Sequence, residues 1–234
     1  MESSVLCARH GNDFPVCEKR LTPEGASRGS ERICRGPLVE VIGLFAGIML
    51  YIWCLRAYAP WLVLVLFAYV VVSHRVRNES APLLGLGLAN LRQSARLLTP
   101  YLLAIIATIF SVGMLLHSFR NITLRYGLFR LGLYLAWGLF QQYLLNGYFA
   151  RRIEAALPHA HPVTIALVTS VIFTAVHLPN TVLMLVTFAA GFTSVLVFLR
   201  FRTIYFLGIA HGIIGFLMIY CLPYSMRIGP ALVR

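Results

Sequence analysis

GLFRLGLYLAWGLFQQYLLNGYF, residues 127–149, is apolar over most of its length yet carries Gln141, Gln142 and Asn146 at the spacing Q-Q-x-x-x-N. An α-helix crossing the hydrocarbon of a bilayer needs about 20 predominantly apolar residues, and this stretch supplies them. Inside such a helix, amides have no water to bond, so they turn toward the bundle interior and mark a functional site. His177 and His211 lie in further apolar stretches of the same kind. With 59% hydrophobic and 12% charged residues in 234, the chain is read as all-α, a polytopic membrane helix bundle.

Working outward from residues 127–149, the apolar runs at 38–55, 60–74, 100–117, 162–178, 181–199 and 203–222 complete a set of about seven transmembrane helices. The basic stretch from His74 to Arg96 reads as a loop or, in its Leu-Gly-Leu-Gly-Leu portion, an interfacial helix. Residues 1–36 lack apolar periodicity and read as a loosely ordered basic tail, leaving 37–234 as the transmembrane domain.

The net charge of +12 does not imply nucleic acid, because the arginines form no stripe on one helical face and instead punctuate the ends of apolar runs. Fourteen of the twenty basic residues fall on one side of the expected topology, which places the N-terminus in the cytoplasm. Cys7, Cys17 and His10 lack the tight pairing of a structural zinc site, so neither metal nor cofactor is expected.

On a helix, Gln142 and Asn146 lie one turn apart on one face and Gln141 about 100° round from them. Taken singly, each polar residue has a plain structural reading: interhelical bonding for the glutamines, a helix-end carbonyl partner for His177, and a packed histidine among Gly208, Ala210 and Gly212 for His211.

Their joint order carries more. Ser170-Val-Ile-Phe173-Thr-Ala-Val-His177-Leu-Pro-Asn180, an apolar helix ending Phe198-Leu-Arg200, and then Gly208-Ile-Ala-His211-Gly-Ile-Ile-Gly215 follow the glutamine stretch. This arrangement resembles the CAAX-protease and bacteriocin-processing (CPBP, or Abi) family of intramembrane proteases, with a core over 127–222. That family's motifs are Glu-Glu-x-x-x-Arg, Phe-x-x-x-His and His-x-x-x-Asn. The chain keeps Phe173, His177 and His211, and reads Gln141, Gln142 and Asn146 in place of the acids and arginine, and Gly215 in place of the asparagine.

The resemblance implies an intramembrane endopeptidase acting on membrane-anchored peptides or proteins, in peptide maturation or bacteriocin immunity, within the lipid membrane. It implies that Gln141 and His177 occupy the water-activating positions, that Gln142 and Asn146 replace a supporting acid and its arginine, and that His211 stands where the developing oxyanion is stabilised. Gly215 lacks the assisting amide side chain.

A carboxamide has no useful proton affinity near neutral pH, so Gln141 orients water but does not take its proton. Loss of a general base costs about 10²- to 10⁴-fold. The expectation is therefore a family member with hydrolysis weakened or lost, a pseudoprotease. The competing readings are a surviving hydrolase with His177 as base and, from another class, a small transporter or channel whose polar groups line a pathway.

Overall fold

The computed structural model describes residues 35–227. The described residues all lie in one unit, Ile33–Arg234. The expected loose tail lies outside the described residues except for Arg35 and Gly36, which already begin the first helix.

Nine α-helical segments follow among the described residues: α1 Arg35–Leu50, α2 Leu62–Val76, α3 Leu91–Leu115, α4 Leu124–Gln142, α5 Arg151–Ala156, α6 Pro162–Ala175, α7 Thr181–Phe201, α8 Tyr205–Cys221 and α9 Tyr224–Arg227. Two π-helical segments interrupt them, Tyr51–Leu55 after α1 and Tyr143–Ala150 between α4 and α5. Among the described residues there is no strand, only an isolated bridge between Leu86 and Thr203. The architecture is an all-α membrane helix bundle. Among the described residues three helical stretches are long and apolar enough to span a bilayer, Arg35–Leu55, Leu91–Leu115 and Thr181–Phe201; α2, α6 and α8 are shorter apolar helices.

Local chemistry explains the boundaries. His161 caps α6, its Nδ1 accepting from the Val163 amide at 3.3 Å, with Pro162 at the first helical position. Asn180 caps α7 by accepting from the Leu183 amide at 3.0 Å. The Leu-Gly-Leu-Gly-Leu stretch is a loop, turned at Gly85, whose φ of +79° suits a residue without a Cβ. The structure differs from the sequence reading at α3, which starts at Leu91 and carries Pro100 inside it. The polar Arg92–Arg96 turn is helical because Asn90, just ahead of it, ties that end to α7 by donating to the Phe201 carbonyl at 2.9 Å.

The bundle is apolar outside and mixed inside. Leu64, Leu103, Met114, Leu128 and Leu185 are exposed, whereas Gln142, Asn146, Arg152, Thr169, Ser170 and Ser194 are buried. This arrangement suits lipid, where the polar groups must find partners within the protein. Helices α4 and α8 approach closely at glycines. A Cβ on Gly212 would lie 2.6 Å from the Tyr134 carbonyl oxygen, and one on Gly208 would lie 2.8 Å from Leu139 Cα. Small residues at such crossings let backbones touch, and here they bring His211 against α4.

Candidate functional site

The glutamine pair divides between two environments. Gln142 is 4% exposed and turns inward, where Asn146 Nδ2 donates to its Oε1 at 2.6 Å and Ser194 Oγ donates to the same oxygen at 2.6 Å. Asn146, fully buried, also donates to Ser194 Oγ at 2.9 Å. Gln142 Nε2 lies 3.1 Å from His211 Nδ1. Four side chains from α4, the π segment, α7 and α8 thus form one neutral network. The π segment begins directly after Gln142, and such segments recur at functional sites.

Gln141 faces the other way. It lines a cavity of about 160 Å³ enclosed by α1, α2, α4 with its π segment, and α6. Leu44, Val70, Phe140, Leu145 and Phe173 form much of its wall, and Gln141 contributes a carboxamide to an otherwise largely apolar surface.

Phe173 links these two sites. Its ring lies 4.9 Å from that of His177 and 6.0 Å from that of His211, edge to face in both cases, while also walling the cavity. His177 Nδ1 donates to the Phe173 carbonyl at 2.8 Å in the last turn of α6, the helix-end partner expected from sequence. The motif residues Gln142, Asn146 and His211 are therefore joined by hydrogen bonds, and His177 joins them through Phe173. Gly215 lies outside the network; a Cβ there would meet the Tyr134 ring at 3.4 Å.

A second polar cluster, absent from the sequence reading, lies further along the same helix. Arg152 is 1% exposed, and Nε donates to Glu40 Oε2 at 2.7 Å, Nη1 to Glu79 Oε1 at 2.6 Å and Nη2 to Ser73 Oγ at 2.9 Å. His74 Nδ1 donates to Glu79 Oε2 at 2.6 Å, and Arg77 adds a 2.9 Å bond from Nε to Glu40 Oε1. Burial works to raise the Glu79 carboxyl, but the bonds from His74 and Arg152 outweigh it and hold the group at about 2. Arg151 and Arg152, which follow the apolar run of residues 127–149, are buried, and the helix runs on to Ala156. The sequence signal was Glu40, a lone acid in an apolar run.

This cluster bears on the chemistry of the first site. Among the described residues the only carboxylate side chains are Glu40, Glu79 and Glu154. Each is already committed: Glu40 to Arg77 and Arg152, Glu79 to Arg152 and His74, and Glu154 to Arg151 and Arg202. None is left for the Gln141 position. Among the described residues no group of three His, Cys, Asp or Glu side chains is placed to hold a metal ion.

A family model described as "Type II CAAX prenyl endopeptidase Rce1-like" matches residues 123–217. No curated protein and no solved structure matches the chain. The matched segment starts at Thr123, immediately before α4, and ends within α8, so it contains Gln141, Gln142, Asn146, Phe173, His177, Ser194, His211 and Gly215. Helices α1 to α3 lie outside it, although α1 and α2 wall the cavity. Over residues 123–217, where His177 and His211 gather around Phe173, the chain is thus similar to the Rce1-like CAAX prenyl endopeptidases.

Proposed function

We propose that this protein binds membrane-anchored peptides in the manner of its family while hydrolysis is weakened or lost. The observation that carries the reading is the neutral network: amides stand at both glutamate positions, and one of them is spent on His211, Asn146 and Ser194. Water activation at Gln141 lacks a base, which costs about 10²- to 10⁴-fold. The cavity beside Gln141 supports the binding half. Its apolar wall suits the lipid chain of an anchored peptide, and the carboxamide at its edge both donates to and accepts from a peptide group.

The network also has an internal logic. Replacing two acids and an arginine by amides avoids an unpaired charge in a low-dielectric interior, a loss that otherwise costs several kcal/mol. In this reading the chain is a pseudoprotease with its N-terminus in the cytoplasm. With Arg151 and Arg152 set aside as interior residues, the basic residues of the N-terminal tail still give that side the excess, which supports the orientation.

The test uses the full chain in nanodiscs and a farnesylated peptide ending in a CAAX sequence. Binding without cleavage is expected, and the double variant Gln141→Glu, Gln142→Glu should raise turnover by about 10² or more. Cleavage by the unmodified chain at a rate comparable to the double variant would show that hydrolysis survives. Absence of any peptide binding would remove the reading altogether.

A further inference from the structure

Gln142 stands between two kinds of partner. Its Oε1 accepts from Asn146 Nδ2 and from Ser194 Oγ, each at 2.6 Å, and its Nε2 lies 3.1 Å from His211 Nδ1. A carboxamide donates only from its nitrogen and accepts only at its oxygen, so the direction fixed at one end dictates the other. With Oε1 taking two hydrogen bonds, Nε2 faces the histidine and donates. Nδ1 is then the unprotonated nitrogen of a neutral ring, and the ring proton sits on Nε2.

The opposite direction is less favourable. Turning both amides round would aim the two N–H groups of Asn146 into the space its Oδ1 now occupies, which is buried and offers no partner. A buried carbonyl-type oxygen without a partner is tolerated better than stranded donors. Ser194 contributes twice, since its hydroxyl donates to Gln142 Oε1 and accepts from Asn146 Nδ2 at 2.9 Å.

The geometry points to Ser194 as a positioning residue: acting from α7 through Gln142, it selects the Nε2–H tautomer of His211 and makes that ring a hydrogen-bond donor to a ligand carbonyl. Among the described residues His211 Nε2 makes no hydrogen bond, so the donor is free for that use. A glutamate at position 142 would do the reverse. It only accepts, so it would draw the proton to Nδ1 and leave Nε2 as a lone pair. The replacement of acid by amide therefore changes what His211 offers, and Ser194 holds the change in place. The ligand class, a carbonyl acceptor, rests on the peptide-binding reading; the tautomer does not.

The experiment is nuclear magnetic resonance of the full chain in nanodiscs with isotope-labelled histidine, the His211 signal being assigned by its loss in His211→Gln. Nitrogen chemical shifts separate the two tautomers. The Nε2–H form is expected in the unmodified chain, an exchanging mixture in Ser194→Ala, recovery of a single tautomer in Ser194→Thr, and the Nδ1–H form in Gln142→Glu. An Nδ1–H ring in the unmodified chain, or a Ser194→Ala spectrum identical to it, would overturn the assignment. Should Ser194→Ala not fold, the unmodified chain and Gln142→Glu decide. An Nε2–H ring in a chain that binds no peptide would sink the proposed function and leave the Ser194 assignment intact.

Discussion

Arg152 on α5 donates to Glu40 on α1 at 2.7 Å, across 112 residues of sequence. The same guanidinium holds Glu79 and Ser73, so one side chain ties α1, α2 and the loop after α2 to the helix that carries Gln141 and Gln142. Removing one partner of a buried pair strands the other, at a cost of about 3–5 kcal/mol. Arg152→Ala should therefore lower the melting temperature of the detergent-solubilised chain far more than Arg77→Ala, whose side chain is 31% exposed and belongs to the class worth about 0–1 kcal/mol. Equal shifts in the two variants would show that Arg152 is not the tie.

The Glu79 carboxyl sets a pH dependence of definite sign. Burial raises it, but His74 and Arg152 prevail and bring it from 4.5 to about 2. A carboxyl lowered in the folded state stabilises the fold above its unfolded value and loses that contribution as pH falls toward the folded one. The melting temperature should drop between about pH 4.5 and pH 2. Glu79→Gln should be less stable at neutral pH and show a shallower drop across that window; a drop of unchanged steepness would assign the acid sensitivity elsewhere.

The glycine crossing of α4 and α8 offers a paired comparison. Gly212→Ala forces a Cβ to within 2.6 Å of the Tyr134 carbonyl oxygen, a backbone atom that cannot give way, whereas Gly132 has open space around it. Gly212→Ala should destabilise the bundle and break the Gln142 to His211 contact one residue away. Gly132→Ala should be neutral or stabilising by about 0.5–1 kcal/mol through its better helix propensity. Thermal unfolding of the two variants side by side checks the sign of each, and a Gly212→Ala variant as stable as the parent would refute the close crossing.

Helix positions were readable in the sequence because they depend on local apolar content, and seven expected runs each correspond to a helix. The pairing of Gln142 with Asn146 was equally readable, since one helical turn separates them, and so was a helix-end carbonyl for His177, which the structure identifies as that of Phe173. Partners from elsewhere in the chain left no such trace. Ser194 reaches Gln142 from 52 residues away, and Glu40 reaches Arg152 from 112, with nothing in local periodicity to announce either. A basic pair after an apolar run usually marks a membrane surface, yet Arg151 and Arg152 are buried; the acids that draw Arg152 inside, Glu40 and Glu79, lie on other elements. The apolar run at 100–117 likewise missed the start of α3, because its first turns from Leu91 are polar and Pro100, a residue that suits a helix start, lies within the helix.

The apolar cavity gives the last prediction, because it can be filled without touching the hydrogen-bond network. Val176 lines it at the end of α6, and among the described residues neither Gln142, Asn146, Ser194 nor His211 shares that wall. Val176→Trp places a large ring where the proposed lipid chain would lie. Labelling of the full chain by a photoreactive prenyl peptide should fall several-fold, while the His211 tautomer stays as in the parent. The opposite pattern, with labelling retained, would mean that the chain of the peptide lies elsewhere. A cavity this apolar gains little from a polar ligand, so a peptide lacking the prenyl group should label weakly in both proteins. The prenyl-dependent part of the signal then reports the cavity, separately from whatever binds His211 through its carbonyl.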